Sequence, residues 1–448
     1  MNTSLSDKIT YRTAKVAVVG VGYVGLPLAL AFAKAGFVTV GIEVNADRAR
    51  DLNAGHSYIE DVSDAELLPY VRDGRLSATT DYDIIRDCDA VFICVPTPYT
   101  IQRTPDMSYI IAATEGIAPH LRPQQLIVLQ STTYPGTTTE VVQPILERVS
   151  GMKAGADDFY LAFSPERIDP GNKQWSAYNT PKVVGGLTPN ATAVAAALLR
   201  QMGAPVHEVS SPAAAELTKL LENTFRAVNI ALVNEIAQLA ERMGIDFWEV
   251  IDAAKTKPFG FMPFRPGPGV GGHCIPIDPY YLLWKAREYD FWTRFIELAA
   301  ETNEAMPYHV VDLVTRGLSL EKKSLYGARV LVLGVAFKPD IGDSRDTPAE
   351  RIIELLLGRG ADVRYHDPFV PTFHVGGNVF YQDTLCLESV PLTDEELQAV
   401  DVVVIVTGHH NVDYGRILQR ASLVVDSCNA TRGFSGTARV VRLGAPLA

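Results

Sequence analysis

A glycine-rich stretch of the sequence contains a cysteine among residues that could make its thiol reactive. It runs from Pro266 to Pro279 and places four glycines before His273 and Cys274. Glycines let the backbone approach a ligand closely, and a thiol just before the start of a helix has a lowered pKa. Asp278 follows four residues after the cysteine and could face the same site. The residues alone leave two interpretations open, a reactive thiol at a ligand site and a glycine loop around a buried, inert cysteine.

Lys219 and Asn223 form a second polar pair with a spacing that suits catalysis. They are four residues apart in a segment that predicts a helix, so they share one helix face. A lysine beside an asparagine offers several hydrogen-bond donors to an oxyanion. A solvated helix face has the same spacing, and the pair by itself does not distinguish the two.

A glycine motif near the N-terminus has the residue types of a dinucleotide site. Gly20, Gly22 and Gly25 follow the apolar run Lys15–Val19, and a helical segment comes next. Such glycines permit a tight turn, a close approach to a pyrophosphate and the packing of helix on strand. Glu43 ends the next apolar run, eighteen residues after Gly25. Because a carboxylate there binds both ribose hydroxyls and repels a 2′-phosphate, we predict NAD rather than NADP; the alternative is a structural turn.

Further polar turns end other apolar runs. Cys94–Pro98 and Ser131–Gly136 each follow a predicted strand of the same half of the chain. Ligands bind at the carboxyl ends of parallel strands, although proline and glycine also make ordinary turns. Lys338 and Arg345 follow the first strand of a later α/β pattern. These two cations could hold a second nucleotide or could lie on the surface.

Three kinds of segment must position these residues. Strands alternate with helices up to about residue 210, which predicts a parallel sheet covered by helices. Pro212–Met243 predicts one long helix, and further helix follows from Tyr280 to about Gly317. A second α/β pattern begins near Leu325. We therefore predict the α/β class with domains over 1–210, 211–325 and 326–448, the middle one helical.

Composition excludes several classes of protein. The 448 residues have a net charge of −12, which argues against binding to nucleic acid. The five cysteines include no C-x-x-C pair, and neither His273 with Cys274 nor His409 with His410 has the partner spacing of a metal site. No apolar run reaches membrane-spanning length, and the N-terminus lacks a signal-peptide pattern. We expect a cytoplasmic protein with no metal, no disulfide framework and no membrane span.

Together and in this order, the motifs resemble those of the UDP-glucose/GDP-mannose dehydrogenase family. The resemblance extends from about Val16 to Pro368. It rests on Gly22–Leu26, Val95–Pro98, Ser164–Arg167, Lys219 with Asn223, Gly271–Asp278, Phe337–Lys338 and Asp343–Arg345. The stretches Thr256–Phe261 and Trp284–Ala286 are most similar to the UDP-N-acetylglucosamine 6-dehydrogenase branch. Ser344–Thr347 departs from the family pattern, in which Arg-Glu-Ser is commoner.

The resemblance implies a fold and a reaction. The fold is a Rossmann-type NAD domain, a central long-helix domain that usually forms a homodimer, and a Rossmann-like UDP-binding domain. The substrate is a UDP-sugar, with UDP-N-acetylglucosamine favoured, and its C6 alcohol loses two hydrides in succession to NAD. A thiolate carries the aldehyde to the acid through a thiohemiacetal and a thioester. The resemblance identifies Cys274 as that thiolate.

The resemblance also implies roles for other residues. Lys219 and Asn223 stabilise oxyanions, Asp278 acts on water with Thr132, and Glu166 assists hydrolysis. The implied cofactor-binding residues are Gly20, Gly22, Tyr23, Val24, Gly25, Glu43, Pro96, Thr97, Ser131, Thr132 and Arg345. The implied substrate-binding residues are Glu166, Arg167, Lys219, Asn223, Gly267, Gly269, Gly271 and Lys338.

Several alternatives to this function stay open at the level of sequence. UDP-glucose, UDP-N-acetylmannosamine and GDP-mannose are other substrates of the family. A two-electron dehydrogenase of the hydroxy-acid type also combines an NAD domain with a Lys/Asn helix, although the Cys274 loop and the second α/β domain argue against it. A non-enzymatic NAD-binding protein would not need this set of catalytic residue types.

Overall fold

The structure is a computed structural model that describes residues 4–59, 62–100, 102–155, 158–168, 174–176, 178–272 and 275–447. His273 and Cys274 thus lie outside the described residues. The chain divides into two compact units. The first comprises Met1–Glu222 and Tyr280–Phe291, and the second comprises Asn223–Pro279 and Trp292–Ala448.

An eight-stranded sheet forms the centre of the first unit. Its strands are β1 (Lys15–Val19), β2 (Val38–Ile42), β3 (Leu76–Thr79), β4 (Ala90–Ile93), β5 (Leu126–Leu129), β6 (Tyr160–Phe163), β7 (Lys182–Gly186) and β8 (Val206–Glu208). Their spatial order is β3-β2-β1-β4-β5-β6-β7-β8. Neighbouring strands run parallel, except that β6 and β7 are antiparallel. The carboxyl ends of β1, β2, β4, β5 and β6 therefore meet at one edge, where ligands bind in such sheets.

Helices cover both faces of this sheet. They are α1 (Leu5–Thr10), α2 (Gly25–Lys34), α3 (Ala46–Ala54), α4 (Asp64–Arg72), α5 (Ser108–Ile117), α6 (Gln143–Ser150) and α7 (Pro189–Arg200). Alternate residues of β1 enter different cores, since Val16 and Val18 pack on one face and Ala17 and Val19 on the other. Burial on both faces explains why the strands are continuous apolar runs.

The long helix α8 (Pro212–Met243) begins in the first unit and continues into the second. The second unit also contains α9 (Phe247–Ala254), the start of α10 (Asp278–Ala286), α11 (Arg294–Leu320), α12 (Pro348–Gly358), α13 (Asp394–Ala399) and α14 (Tyr414–Arg420). Its parallel sheet contains β9 (Arg329–Leu333), β10 (Asp362–His366), β13 (Val402–Ile405), β14 (Leu423–Asp426) and β15 (Arg439–Arg442), in the order β10-β9-β13-β14-β15. β11 (Thr372–Gly376) and β12 (Thr384–Glu388) form a separate antiparallel pair.

The predicted α/β class is confirmed: the sheet of the second unit is parallel, and that of the first is parallel apart from the β6–β7 pair. β1 and α8 begin and end at the predicted residues. The helical region predicted from Tyr280 consists of two helices, α10 and α11, separated by a short 3₁₀ turn and loop. In the part of the chain that the structure describes, no helix combines the length and the apolar composition that crossing a bilayer requires.

Candidate active site

In the first unit, the glycine motif forms the turn between β1 and α2. Gly20 has a φ of +83°, and a β-carbon there would lie 2.9 Å from the carbonyl oxygen of Cys94. A β-carbon at Gly25 would clash with the carbonyl oxygen of Gly20, because helix and strand pack closely there. Gly22 is different, since among the described residues, apart from its two neighbours in the chain, no atom lies within 4 Å of the position that a β-carbon would take. The open space beside Gly22, at the start of a helix, fits a pyrophosphate.

Glu43 lies just after β2 at the same edge of the sheet. Its side chain is buried, and Oε1 accepts a hydrogen bond from the backbone N–H of Asn45 at 3.1 Å. The hydroxyl of Tyr58 donates to the carbonyl oxygen of Val21 at 2.8 Å, and this hydrogen bond from a residue distant in sequence holds the glycine turn in place. The carboxylate and the turn are thus held in place, as the ribose and pyrophosphate of a dinucleotide require.

The other sequence-predicted cofactor residues follow β1, β4 and β5. Tyr23 and Val24 are exposed on the glycine turn. The Ser131 hydroxyl donates to the carbonyl oxygens of Val95 at 2.7 Å and Ile93 at 3.3 Å, and so joins the ends of β4 and β5. Pro96 is exposed, and Thr97 and Thr132 are half-buried in these turns. The structure therefore brings the predicted cofactor residues of the first unit to one edge of the sheet.

Glu166 follows β6 at this edge, and its partners were missed by sequence reasoning. The Lys182 ammonium lies 3.0 Å from each oxygen of its carboxylate. The Gln130 amide donates to Oε2 at 2.9 Å. A lysine that opens an apolar run, Lys182-Val183-Val184, was the available signal, because a buried lysine requires a partner.

These contacts set the charge of Glu166. Burial by itself would raise the pKa of the carboxyl, but the Lys182 ammonium and the backbone N–H groups of Arg167 and Ile168 outweigh it and hold the pKa below its ordinary value. Glu166 is therefore a carboxylate at neutral pH. A carboxylate can accept a proton from water but has none to donate.

Two more predicted residues lie in the first unit. The Arg167 guanidinium bonds both oxygens of Glu222, at 2.6 and 3.2 Å, and also the carbonyl oxygen of Pro181 at 2.7 Å. These contacts connect the segment after β6 to α8. Lys219 is buried on α8, although a solvated helix face was the alternative. A buried ammonium stabilises a neighbouring oxyanion far more strongly than an exposed one does, because less water screens the attraction.

In the second unit, Asn223 and Asp278 form a buried pair. The Asn223 Nδ2 donates to Asp278 Oδ2 at 2.5 Å, and the two residues are 6% and 3% exposed. Asn223 is one turn after Lys219 on α8, and Asp278 is the first residue of α10. The sequence placed the asparagine as an oxyanion donor and the aspartate as a group that acts on water. The geometry adds that the aspartate fixes the orientation of the asparagine.

The glycine loop of the second unit lies against the segment that contains Lys338 and Arg345. The backbone N–H of Gly272 donates to the Arg345 carbonyl oxygen at 3.3 Å, and a β-carbon at Gly271 would lie 2.8 Å from the Cβ of Phe337. The N–H of Gly267 donates to Asn234 Oδ1 at 3.0 Å. Two predicted substrate segments thus meet within one unit, while Cys274, which follows this loop, is outside the described residues.

The side chains of the two predicted cations differ. Lys338 is half-buried and Arg345 is exposed. The Arg345 guanidinium bonds both oxygens of Asp343, at 2.8 and 2.6 Å. Among the described residues, no group of three or more His, Cys, Asp or Glu side chains could hold a metal ion.

Comparison with known proteins supplies the remaining observation. Residues 14–203, 213–305 and 331–433 match, respectively, the NAD binding domain, the central domain and the UDP binding domain described for the UDP-glucose/GDP-mannose dehydrogenase family. The UDP-N-acetyl-D-glucosamine 6-dehydrogenase of Pseudomonas aeruginosa is 39% identical over 360 residues, which are 80% of this chain and 84% of that protein.

Two solved structures have the same fold over nearly the whole chain. The UDP-D-ManNAc dehydrogenase of Pyrococcus horikoshii has a TM-score of 0.86 and 31% identity, with 96% of this chain and 99% of that chain covered. The UDP-glucose dehydrogenase of Pyrobaculum islandicum has a TM-score of 0.84 and 28% identity, with 96% and 98% covered.

Proposed function

Since this chain belongs to the UDP-glucose/GDP-mannose dehydrogenase family and is an NAD-dependent UDP-sugar dehydrogenase, we propose that it oxidises UDP-N-acetylglucosamine at C6 to the uronic acid. The oxidation removes four electrons, in two hydride transfers. The choice of this sugar is supported by the relative from Pseudomonas aeruginosa, which is 39% identical and is named for it. UDP-N-acetylmannosamine and UDP-glucose are the alternative substrates, because other relatives are named for those sugars.

The observation that carries the chemistry is the buried Asn223–Asp278 pair. The hydrogen bond of 2.5 Å fixes the asparagine one turn after Lys219 on α8, and its acceptor Asp278 follows Cys274 by four residues in the sequence. Such a fixed donor, buried away from bulk solvent, is what stabilises a developing oxyanion. A structural role for the pair would not explain why a buried lysine precedes it on the same helix.

The residues would divide the oxidation steps as follows. NAD, held by the Gly20–Gly25 turn and Glu43, would supply the hydride acceptor for each of the two oxidations. Lys219 and Asn223 stabilise the C6 alkoxide and later the tetrahedral oxyanion. The Cys274 thiolate adds to the aldehyde carbon, and the resulting thiohemiacetal loses hydride to become a thioester. Thioester hydrolysis then needs a water molecule, which Asp278 and Thr132 orient.

The binding residues would serve cofactor and substrate separately. The Gly20–Gly25 turn with Tyr23 and Val24, Glu43, and the turns at Pro96, Thr97, Ser131 and Thr132 contact NAD, and Arg345 lies near its nicotinamide end. Glu166, Arg167, Lys338 and the loop with Gly267, Gly269 and Gly271 contact the UDP-sugar. We propose that residues 1–210, 211–325 and 326–448 are the corresponding NAD, central and UDP domains.

We further propose a homodimer formed by α8. Its exposed face in the second unit contains Phe225, Leu232, Ile236, Leu239 and Met243. The spacings of seven, four, three and four residues place them on one stripe of the helix. A stripe of this length, left open to water, is typical of a helix that packs against another subunit.

The number of NADH molecules formed per sugar tests the proposal. We expect two NADH per UDP-N-acetylglucosamine consumed, with a higher kcat/KM than for UDP-N-acetylmannosamine, UDP-glucose or GDP-mannose. Absorbance of NADH and chromatography of the sugar product measure both. One NADH per sugar would contradict the four-electron reaction, and a better kcat/KM for another sugar would change the substrate.

Substitution of the cysteine tests the covalent step. Cys274→Ser should lower kcat by about 1,000-fold or more, because a serine hydroxyl is a far poorer nucleophile at neutral pH. Cys386→Ser is the matched control, since Cys386 is an exposed free thiol. Full activity of Cys274→Ala would instead support a two-electron dehydrogenase.

A further inference from the structure

Lys182 is a buried lysine that has no role in the oxidation steps proposed above. It is the first residue of β7, and its side chain is 1% exposed. Burying an ammonium without a partner is very costly, so such lysines are paired. The partner is Glu166, whose side chain is 12% exposed and whose two oxygens each lie 3.0 Å from the ammonium.

The Glu166 carboxylate is held from several elements at once. Oε1 accepts from the backbone N–H of Arg167 at 2.7 Å and of Ile168 at 3.1 Å, in addition to Lys182. Oε2 accepts from Lys182 and from the Gln130 amide at the end of β5, at 2.9 Å. These donors hold the carboxylate in a single orientation, because each oxygen accepts hydrogen bonds from at least two fixed groups.

The charged and titratable groups that face Glu166 are few. Lys182 approaches from β7, and the buried Cys94 thiol approaches from the end of β4. Burial, and then the Glu166 charge, raise the pKa of Cys94, so that thiol stays neutral. Among the described residues in contact with the carboxylate, Lys182 is the cation that balances its charge.

Gln130 marks the direction from which a water molecule could come. Its Nε2 must face Glu166, because a carboxylate only accepts hydrogen bonds. Its Oε1 is buried and has no hydrogen-bond partner among the described residues. A buried acceptor of this kind is normally satisfied by a water molecule or a ligand. An acceptor beside a carboxylate suits a water that loses a proton to that carboxylate.

We propose that Lys182, together with Gln130, is a positioning residue that keeps Glu166 ionised and in one orientation as the base of the thioester hydrolysis. The inference rests on the proposed function, because that reaction supplies the thioester. The water oxygen bonds to the thioester carbon, and the water gives a proton to Glu166. The carbon–sulfur bond then breaks, with its electron pair returning to the sulfur of Cys274, and Glu166 releases its proton to solvent.

Lys182→Met tests the positioning role, because it keeps the length of the side chain and removes the charge. With saturating NAD and UDP-N-acetylglucosamine, we expect kcat to fall by about 100-fold. Hydrolysis becomes the slow step, so a burst of about two NADH per active site should precede the slow steady state. The acidic limb of the pH profile of kcat should move to higher pH, since Glu166 then lacks its cation.

Two further variants separate this role from a loss of structure. Lys182→Arg keeps the cation and should restore much of kcat and the original acidic limb. Lys153→Met is the matched control, because Lys153 pairs with Glu147 at the surface and is 72% exposed. A kcat within about threefold of wild type and an unchanged acidic limb in folded Lys182→Met would overturn the proposal.

The ionisation of Glu166 can also be measured without turnover. In infrared difference spectra over a pH series, the Glu166 carboxyl band is identified by its loss in Glu166→Gln. We expect the pH midpoint of Glu166 protonation to lie below the ordinary glutamate pKa in wild type and above it in Lys182→Met. The same midpoint in both proteins would overturn the ion-pair argument. If wild type formed no NADH from any UDP-sugar, the proposed function would be contradicted. The titration of Glu166 would still show whether Lys182 keeps that carboxyl ionised, because it does not depend on turnover.

If Lys182→Met does not fold, as judged by its thermal unfolding, Gln130→Met replaces it. That variant removes the amide donor and the unpartnered acceptor while the ion pair stays. We expect a lower kcat with the same NADH burst and only a small shift of the acidic limb. A wild-type kcat and no burst in Gln130→Met would contradict the role of the amide.

Discussion

At the scale of single residues, burial distinguishes groups that chemistry needs from ordinary surface charge. Lys219 and Lys182 are both buried lysines, yet only the first belongs to a recognisable sequence motif. Glu43 and Glu166 are both carboxylates at the same edge of the sheet. Among the described contacts, Glu43 has no ion pair with a lysine and accepts a hydrogen bond from the backbone N–H of Asn45. The charge of Glu166 is instead balanced by the Lys182 ammonium. The two acids can therefore serve different purposes, ribose binding and proton transfer.

Glu43→Gln should weaken NAD binding and reduce the preference over NADP. The carboxylate accepts charge-assisted hydrogen bonds from ribose, and their loss costs about 1.5–3 kcal/mol, or about 10- to 100-fold in affinity. The repulsion of a 2′-phosphate disappears as well. Steady-state kinetics with each cofactor measure the change, with Asp51→Asn, an exposed acid on α3, as control. An unaltered KM for NAD would show that Glu43 does not contact the ribose.

At the scale of elements, a buried acid fixes the turns at the carboxyl edge of the second sheet. Asp367 follows β10 and accepts hydrogen bonds from Val335 N at 2.7 Å and Phe369 N at 2.8 Å, as well as from the Nε2 of His409 at 3.0 Å. The Nδ1 of His409 accepts from Asp340 N at 3.0 Å. This network holds the turn after β9, which contains Lys338, in place. Asp367 thus stabilises its own domain, whereas Glu43 at the matching place of the first sheet can contact a ligand.

Asp367→Asn should destabilise the second unit by about 3 kcal/mol at pH 7, because an amide N–H₂ would face backbone donors in a buried site. Burial would raise the pKa of Asp367, but His409 and the backbone N–H groups hold it below the ordinary value. The stabilisation is therefore complete above the unfolded pKa of about 4 and is lost as the pH falls through the lower folded pKa. Urea unfolding at pH 7 and pH 3 measures this difference.

The control for that experiment is Asp362→Asn, because Asp362 is exposed at the start of β10, the strand that Asp367 follows. It should change the free energy of unfolding by less than about 0.5 kcal/mol. Equal effects of the two substitutions at pH 7 would contradict the role assigned to the buried network.

At the scale of the whole molecule, the proposed dimer rests on the stripe of α8. Leu232→Asp combined with Leu239→Asp should convert the protein to a monomer. Two leucines each contribute about 1.5–3 kcal/mol when buried, so the dissociation constant should rise by more than about 100-fold. Size-exclusion chromatography with light scattering measures the mass. Leu320→Asp, an exposed leucine at the end of α11, is the matched control. A wild-type dimer in the double variant would rule out this interface.

Local pattern alone predicted much of the fold. A continuous apolar run marked β1, and a long segment rich in alanine and leucine marked α8, because the local pattern of apolar residues is the main signal of secondary structure. The glycine turn was equally visible, since the motif spacing is local in the sequence and the positive φ of Gly20 favours glycine. The polar strand β12 and the antiparallel pairing of β7 went unpredicted, because pairing depends on partners far along the chain.

The sequence by itself determined the α/β class, the dinucleotide turn and the residue types needed for oxidation of a UDP-sugar. Only the tertiary structure decided which polar residues are paired. Lys182 meets Glu166 from sixteen residues away, and His409 meets Asp367 from forty-two residues away. Neither spacing matches a helix or strand repeat, because each pair is brought together by separate strands, of which β7 begins at the edge where β6 ends. Burial then makes the pairing necessary, since an unpaired charge removed from bulk solvent would be too costly.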